Sequence, residues 1–224
     1  MSCLSVYDDG PRDAWRHPLT AITPRHVISA RHVAPADGTR VTFQSPSGDV
    51  VVRTLIAQTL VPKVADSDLW VGLLDSPLPP CIKVAKLLPQ NYRLYVGEGR
   101  KLPLVRISRE KECNLHDIIY LAPTDRHQRM CCLEYSTNAL RYRYMRPPWG
   151  MDSGHPLFLL FGDNLAFVCP ARGYYGDNQA TGYLCSYYKA LIQRAIDGLS
   201  EPFGIIPMQI EDFDLTVYGT EVEQ

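Results

Sequence analysis

Before residue 186 no stretch of this chain carries an apolar repeat of helical period; short apolar runs appear instead, cut apart by Pro, Gly, Asn, Asp and Ser. A helix needs a sustained three-to-four residue repeat, whereas a strand needs only a short run with a turn signal at each end. The chain is thereby confined to architectures built from many short strands. Residues 19–23 and 25–30 read as two strands broken at Thr23-Pro24, and His32 follows the second directly. Residues 41–44 and 50–54 flank Ser45-Pro46-Ser47-Gly48-Asp49, a hairpin signal, and a further strand is expected over 55–61. Asp68 then opens the apolar run 69–74, short enough and well enough bounded to be a buried strand.

Pro77, Pro79 and Pro80 forbid regular pairing around 76–80, and residues 87–91 read as a crossover between two halves. The second half repeats the texture of the first, with strands expected at 92–96, 104–107, 118–121, 130–135, 140–144, 157–161, 165–169 and 182–185. One helix is expected, over 187–198, where Tyr188, Leu191, Ile192 and Ala195 share a face, Ser186 caps and Gly198 stops it. The acidic tail, with Ile205, Ile206, Ile210, Phe213 and Leu215 interspersed, should lie along the body. The layout is thus 1–90 and 91–185 as two β domains, 186–199 as a helix and 200–224 as a tail. Two comparable halves of short strands make paired antiparallel barrels or a sandwich.

The chemistry concentrates in Trp149-Gly150-Met151-Asp152-Ser153-Gly154-His155-Pro156, a serine beside glycine on a tight loop that leads into an apolar run. A free serine hydroxyl is a poor nucleophile at neutral pH, so the loop acquires meaning only if a base can take its proton and a third group can orient that base. Composition narrows the partners. A net charge of −1 without a Lys/Arg cluster leaves no footprint for nucleic acid or an anionic membrane, and the longest apolar run, around 156–161, is far short of the roughly 20 residues that span a bilayer. The short apolar runs lead to the expectation of a soluble chain, 46% hydrophobic residues to that of a core formed without metal or cofactor, and a monomer is expected. The seven cysteines form an odd set with no repeated C-x-x-C spacing; most read as small buried apolar residues, with one or two bridges left open. The N-terminus has neither the basic start nor the apolar core of a secretory signal, so the protein either stays inside the cell or begins after a removed leader.

Three segments carry a family resemblance. Arg25-His26-Val27-Ile28-Ser29-Ala30-Arg31-His32 resembles the strand-then-histidine segment of chymotrypsin/trypsin-like serine proteases, Asp68-Leu69-Trp70-Val71-Gly72-Leu73-Leu74 resembles their aspartate strand, and Met151-Asp152-Ser153-Gly154-His155-Pro156 resembles their G-D-S-G-G-P loop. The order His, Asp, Ser agrees with that family, at separations of 36 and 85 residues, and Thr181-Gly182-Tyr183 before the terminal helix is similar to its P-G-V-Y segment. The resemblance spans residues 19 to 198 and implies two six-stranded antiparallel β-barrels with a C-terminal helix. It implies Ser153 as nucleophile, His32 as general base, Asp68 as the carboxylate orienting it, and the backbone N–H groups of Met151 and Ser153 as the oxyanion hole. It implies as well a substrate pocket lined by Pro147, Cys169, Gly173 and Gly182, whose lack of an acid at the floor weakly favours an apolar or aromatic substrate side chain. A protein or peptide substrate, no cofactor, no metal and a secreted or periplasmic location follow from the same resemblance.

The chain also departs from the family. Met151 stands where the family has Gly, His155 replaces a small residue and is either a second base or a packed side chain, and Val33 and Trp149 occupy positions that are often Cys. No I-V-G-G start is present, so Asp152 is expected to find a partner other than a freed amine. His26 rivals His32 as base, but its neighbours place it inside a strand, where a structural histidine is the default. Asp66 and Asp75 read as ordinary loop acids, and Cys131-Cys132 as one side chain on each face of a strand. His17, His116 and His127 show no ligand spacing, and Tyr135, Tyr142 and Tyr144 are explained by strand propensity as well as by a binding surface. Two functions compete: a serine endopeptidase, and a catalytically weakened fold of the same kind that binds peptides or proteins.

Overall fold

The computed structural model describes residues 1–8, 17–61, 68–96, 102–107, 112–120, 123–125, 128–134, 136–146, 152–175 and 179–218. The chain divides into two compact units. The first comprises Met1–Ala85, Ser153–His155 and Lys189–Glu211; the second comprises Lys86–Asp152, Pro156–Tyr188 and Asp212–Gln224.

In the first unit, β1 (Ser5–Asp8), β2 (Thr20–Ala21), β3 (His26–Ala30), β4 (Arg40–Gln44), β5 (Val50–Leu60) and β6 (Leu69–Leu74) form one antiparallel sheet in the order β1-β4-β5-β6-β3-β2. A bridge between Leu4 and Thr20, with the Ser5 N–H on Leu19 O at 2.9 Å and the Ala21 N–H on Cys3 O at 2.7 Å, joins the two ends of this order into a closed ring. Closure removes the exposed edges that an open sheet would present. Leu19, Val27, Val41, Phe43, Leu55, Trp70 and Leu74 fill the interior. Each such side chain withdrawn from water contributes about 1.5–3 kcal/mol. The strands expected at 50–54 and 55–61 are one continuous β5, bent by a register shift between Leu55 and Ala57. Gly72 is required by its neighbours, since a Cβ there would lie 2.5 Å from both Leu55 Cδ1 and Trp70 Cη2.

The second unit is built on β7 (Pro103–Ile107), β8 (Cys113–Tyr120), β9 (Pro123–Asp125), β10 (Gln128–Glu134), β11 (Pro156–Phe161), β12 (Asn164–Pro170), β13 (Gly173–Tyr175) and β14 (Gln179–Tyr183). The order is β12-β11-β7-β8-β10-β14-β13, with β9 paired to β10. Of the eight runs read as strands in this half, five fall on β7, β8, β10, β11 and β12, and a sixth, 182–185, overlaps β14 only at Gly182 and Tyr183, since Cys185 already begins the terminal helix. The other two are corrected by the structure. Residues 92–96 contain a helical turn, α1 (Arg93–Val96), entered through i→i−3 hydrogen bonds from the Tyr92 N–H to Pro89 O and from the Leu94 N–H to Asn91 O. Residues 140–144 contain α2 (Ala139–Tyr142), because Asn138 caps it: its Oδ1 accepts the N–H groups of Leu140 at 3.0 Å and Arg141 at 3.2 Å. The Arg141 guanidinium then pairs with Asp117 at 2.6 Å.

The terminal helix, α3 (Cys185–Ser200), starts one residue before the expected cap and runs past Gly198. A mid-helix glycine costs about 1 kcal/mol, and burial of Ile196 and Leu199 on either side of it outweighs that cost. The chain stops instead in a 3-10 turn, Glu201–Phe203, that ends on left-handed Gly204 at φ 63°. Further on, the Phe213 N–H bonds Leu87 O at 2.7 Å, and the Phe213 ring stacks on Phe161. That part of the tail lies along the second unit, as expected.

Candidate active site

Strand pairing brings His32 to Asp68. β3 and β6 run antiparallel with Ala30 opposite Leu69, so the residues just beyond the pair fall side by side although 36 residues separate them. The Arg31 N–H donates to Asp68 O at 2.8 Å and starts a 3-10 turn, Arg31–Val33, that lifts His32 off the strand. Both carboxylate oxygens of Asp68 are then used on His32: Oδ1 accepts its backbone N–H at 3.0 Å, and Oδ2 lies 2.5 Å from Nδ1. An ionised carboxylate only accepts, so Nδ1 carries the proton and the Nε2 lone pair faces away from Asp68. The Asp68 side chain is 11% exposed and that of His32 45%, so the carboxylate is sheltered while the ring stays accessible.

Ser153 belongs to the same unit as His32 and Asp68, although the residues on both sides of Ser153–His155 pack with the other. Gly154 explains this seating. Its φ is +79°, and a Cβ there would lie 2.6 Å from Ser29 Oγ, 2.8 Å from Val33 Cγ2 and 3.6 Å from His17 Cβ. The turn carrying Ser153 is therefore pressed against β3 and against the residue next to His32, and only glycine permits both the approach and the backbone angle. Val33 supplies one wall of this contact. His155 is buried against His17, with ring centroids 5.6 Å apart, edge to face.

Asp152, just before the serine, is buried and ion-paired with Arg106, whose side chain is fully buried. The same guanidinium donates from Nη2 to Arg146 O at 3.1 Å and from Nε to His116 Nε2 at 3.3 Å. The sequence carries one signal for Arg106, a lone cation inside the apolar run Pro103-Leu104-Val105-Arg106-Ile107.

Met151 and Pro147 lie outside the described residues, as do Asp66, His127 and Tyr135. Cys169 is fully buried, and Gly182 is closely covered, a Cβ there meeting Pro170 O at 2.3 Å and Cys169 Sγ at 2.6 Å. Gly173 has open space where a side chain would stand. His26 is structural: its Nδ1 lies 2.7 Å from Thr23 Oγ1 and its Nε2 3.2 Å from Ser200 Oγ, and burial, aided by the Arg25 charge, pushes its pKa down to about 4. Burial likewise raises the Cys3 thiol to about 11, so it is no nucleophile at neutral pH. Among the described residues, no group of three or more His, Cys, Asp or Glu could hold a metal ion.

No protein-family model matches this chain, and no curated sequence matches it. Among solved structures it is similar to kallikrein-related peptidase 10, with a TM-score of 0.60 and 16% sequence identity over 85% of this chain and 93% of that one. At that identity the likeness concerns the backbone alone. Two antiparallel sheets followed by a C-terminal helix, matched over most of both chains, give this protein the fold of the chymotrypsin-like serine proteases.

Proposed function

We propose that this protein is a serine endopeptidase in which Ser153 attacks the scissile carbonyl of a peptide or protein. His32 Nε2 takes the hydroxyl proton as the tetrahedral intermediate forms, then returns it to the leaving amine, and water enters by the same route to release the acyl group. Asp68 holds the tautomer that makes Nε2 the acceptor and stabilises the imidazolium. The N–H groups of Met151 and Ser153 would receive the oxyanion, a contribution of about 3 kcal/mol per donor in acyl transfer.

One observation carries this reading: both Asp68 oxygens are committed to His32, one to its backbone and one to Nδ1, which fixes the ring and its tautomer at once. A surface histidine paired by chance has no reason to be held twice. The test is turnover of a peptide library by the wild type and by Ser153→Ala. Cleavage that vanishes in the variant supports the proposal. A folded wild type that cleaves no amide or ester refutes it and leaves the reading of a binding module of this fold.

A further inference from the structure

From the contacts of Arg106 we infer that it is the positioning residue of the Ser153 loop, and that its guanidinium makes the protein competent without a newly freed N-terminal amine. The inference rests on the peptidase reading above. Arg106 sits in β7, which pairs with β11 in the register Leu157 opposite Arg106. Its side chain reaches Asp152, the residue bonded to Ser153, and also Arg146 O. One guanidinium thus ties together positions 146 and 152, the two ends of the segment that leads into the serine. The third contact, Nε to His116 Nε2, keeps the planar fork from rotating. Arg suits this task because it offers several donors in a fixed plane; Lys offers a point charge that cannot meet three acceptors in these directions.

Burial gives the pair its force. Arg106 is wholly buried and Asp152 nearly so. An ionised carboxylate in such a place requires a cation, and removing either member strands the other charge. With Arg106 in place the carboxylate needs no amine delivered from elsewhere, so nothing has to be cut for the residue preceding Ser153 to be held. The step gained is positional: a displacement of about 1 Å at a reacting group costs on the order of 100-fold in rate.

The experiment measures the rate at which a fluorophosphonate modifies Ser153, with adduct mapping and thermal melting on every sample. Arg106→Met should slow modification by about 100-fold or more, and Arg106→Lys should fall between it and the wild type. Because Arg106→Met strands Asp152, the double variant Arg106→Met with Asp152→Asn is included; it should recover melting temperature but not the rate. Wild type bearing a flexible Gly/Ser extension before Met1 should react as fast as the unextended chain. Modification of the double variant at the wild-type rate overturns the inference while leaving the peptidase reading intact. So does an extended protein that reacts only after the extension is removed. An unreactive wild type removes both.

Discussion

His26 offers a test of the barrel's internal chemistry that needs no substrate. Its ring is enclosed between Thr23 and Ser200. The Ser200 hydroxyl donates to Ile196 O at 2.8 Å, so its oxygen accepts the Nε2 proton of His26. Thr23 Oγ1 accepts the N–H groups of Arg25 and His26, so its own proton goes to Nδ1. The neutral, Nε2-protonated ring is therefore fully satisfied, and a second proton has no acceptor. Burial first, then the nearby Arg25 charge, lowers the pKa from 6.5 to about 4, with Asp197 opposing. Because the folded pKa is depressed, the stabilisation is fully present above 6.5 and is lost as pH falls through 6.5 toward 4. Between about pH 7 and pH 5 the loss from this one group is about 2 kcal/mol, rising toward about 3 kcal/mol below the folded pKa. In a chain of this length that corresponds to a melting shift of about 4–8 °C. His26→Asn should be less stable than wild type at neutral pH, yet its urea-unfolding free energy should fall by about 2 kcal/mol less over the same interval. The other buried histidines, His17, His116 and His155, are common to both proteins and cancel in the difference. Parallel pH curves for the two proteins would refute the assignment.

Three further outcomes follow from the geometry. Gly154→Ala places a Cβ against Ser29 and Val33 at positive φ, so it should destabilise the first unit by about 1–3 kcal/mol and slow fluorophosphonate modification of Ser153 at least about tenfold. Gly72→Ala drives a methyl into Leu55 and Trp70 and should cost about 1–3 kcal/mol in urea unfolding, while Leu55→Ala in the same background should recover part of the loss. Asp68→Asn leaves the shape of the site but no longer holds the Nδ1-protonated tautomer of His32, so kcat should drop by about 1,000- to 10,000-fold with melting little changed.

The hairpin at 45–49 and most of the strands were legible because their signals are local, a turn residue at each end of an apolar run. His32 and Asp68 were singled out by the family resemblance alone, and what the structure adds is their meeting: each stands at the end of a strand, and the two strands are neighbours. The runs at 92–96 and 140–144 were not, since a single helical turn is too short to show a period; only the cap at Asn138 distinguishes the second. Gly198 misled because a stop signal is weighed against burial that sequence does not display. Arg106 escaped because its meaning lies in Asp152, 46 residues away and brought to it by the sheet. The seating of Ser153–His155 with the first unit depends on Ser29 and Val33 leaving room for Gly154, a packing fact no motif encodes.

The most direct test of the central claim is peptide mapping after treatment with a fluorophosphonate, run on wild type and His32→Ala side by side. A single phosphonyl adduct on Ser153 is expected in the wild type, and its loss in the variant, with both proteins folded. An adduct on another residue, or one on Ser153 that forms equally fast without His32, would contradict the claim.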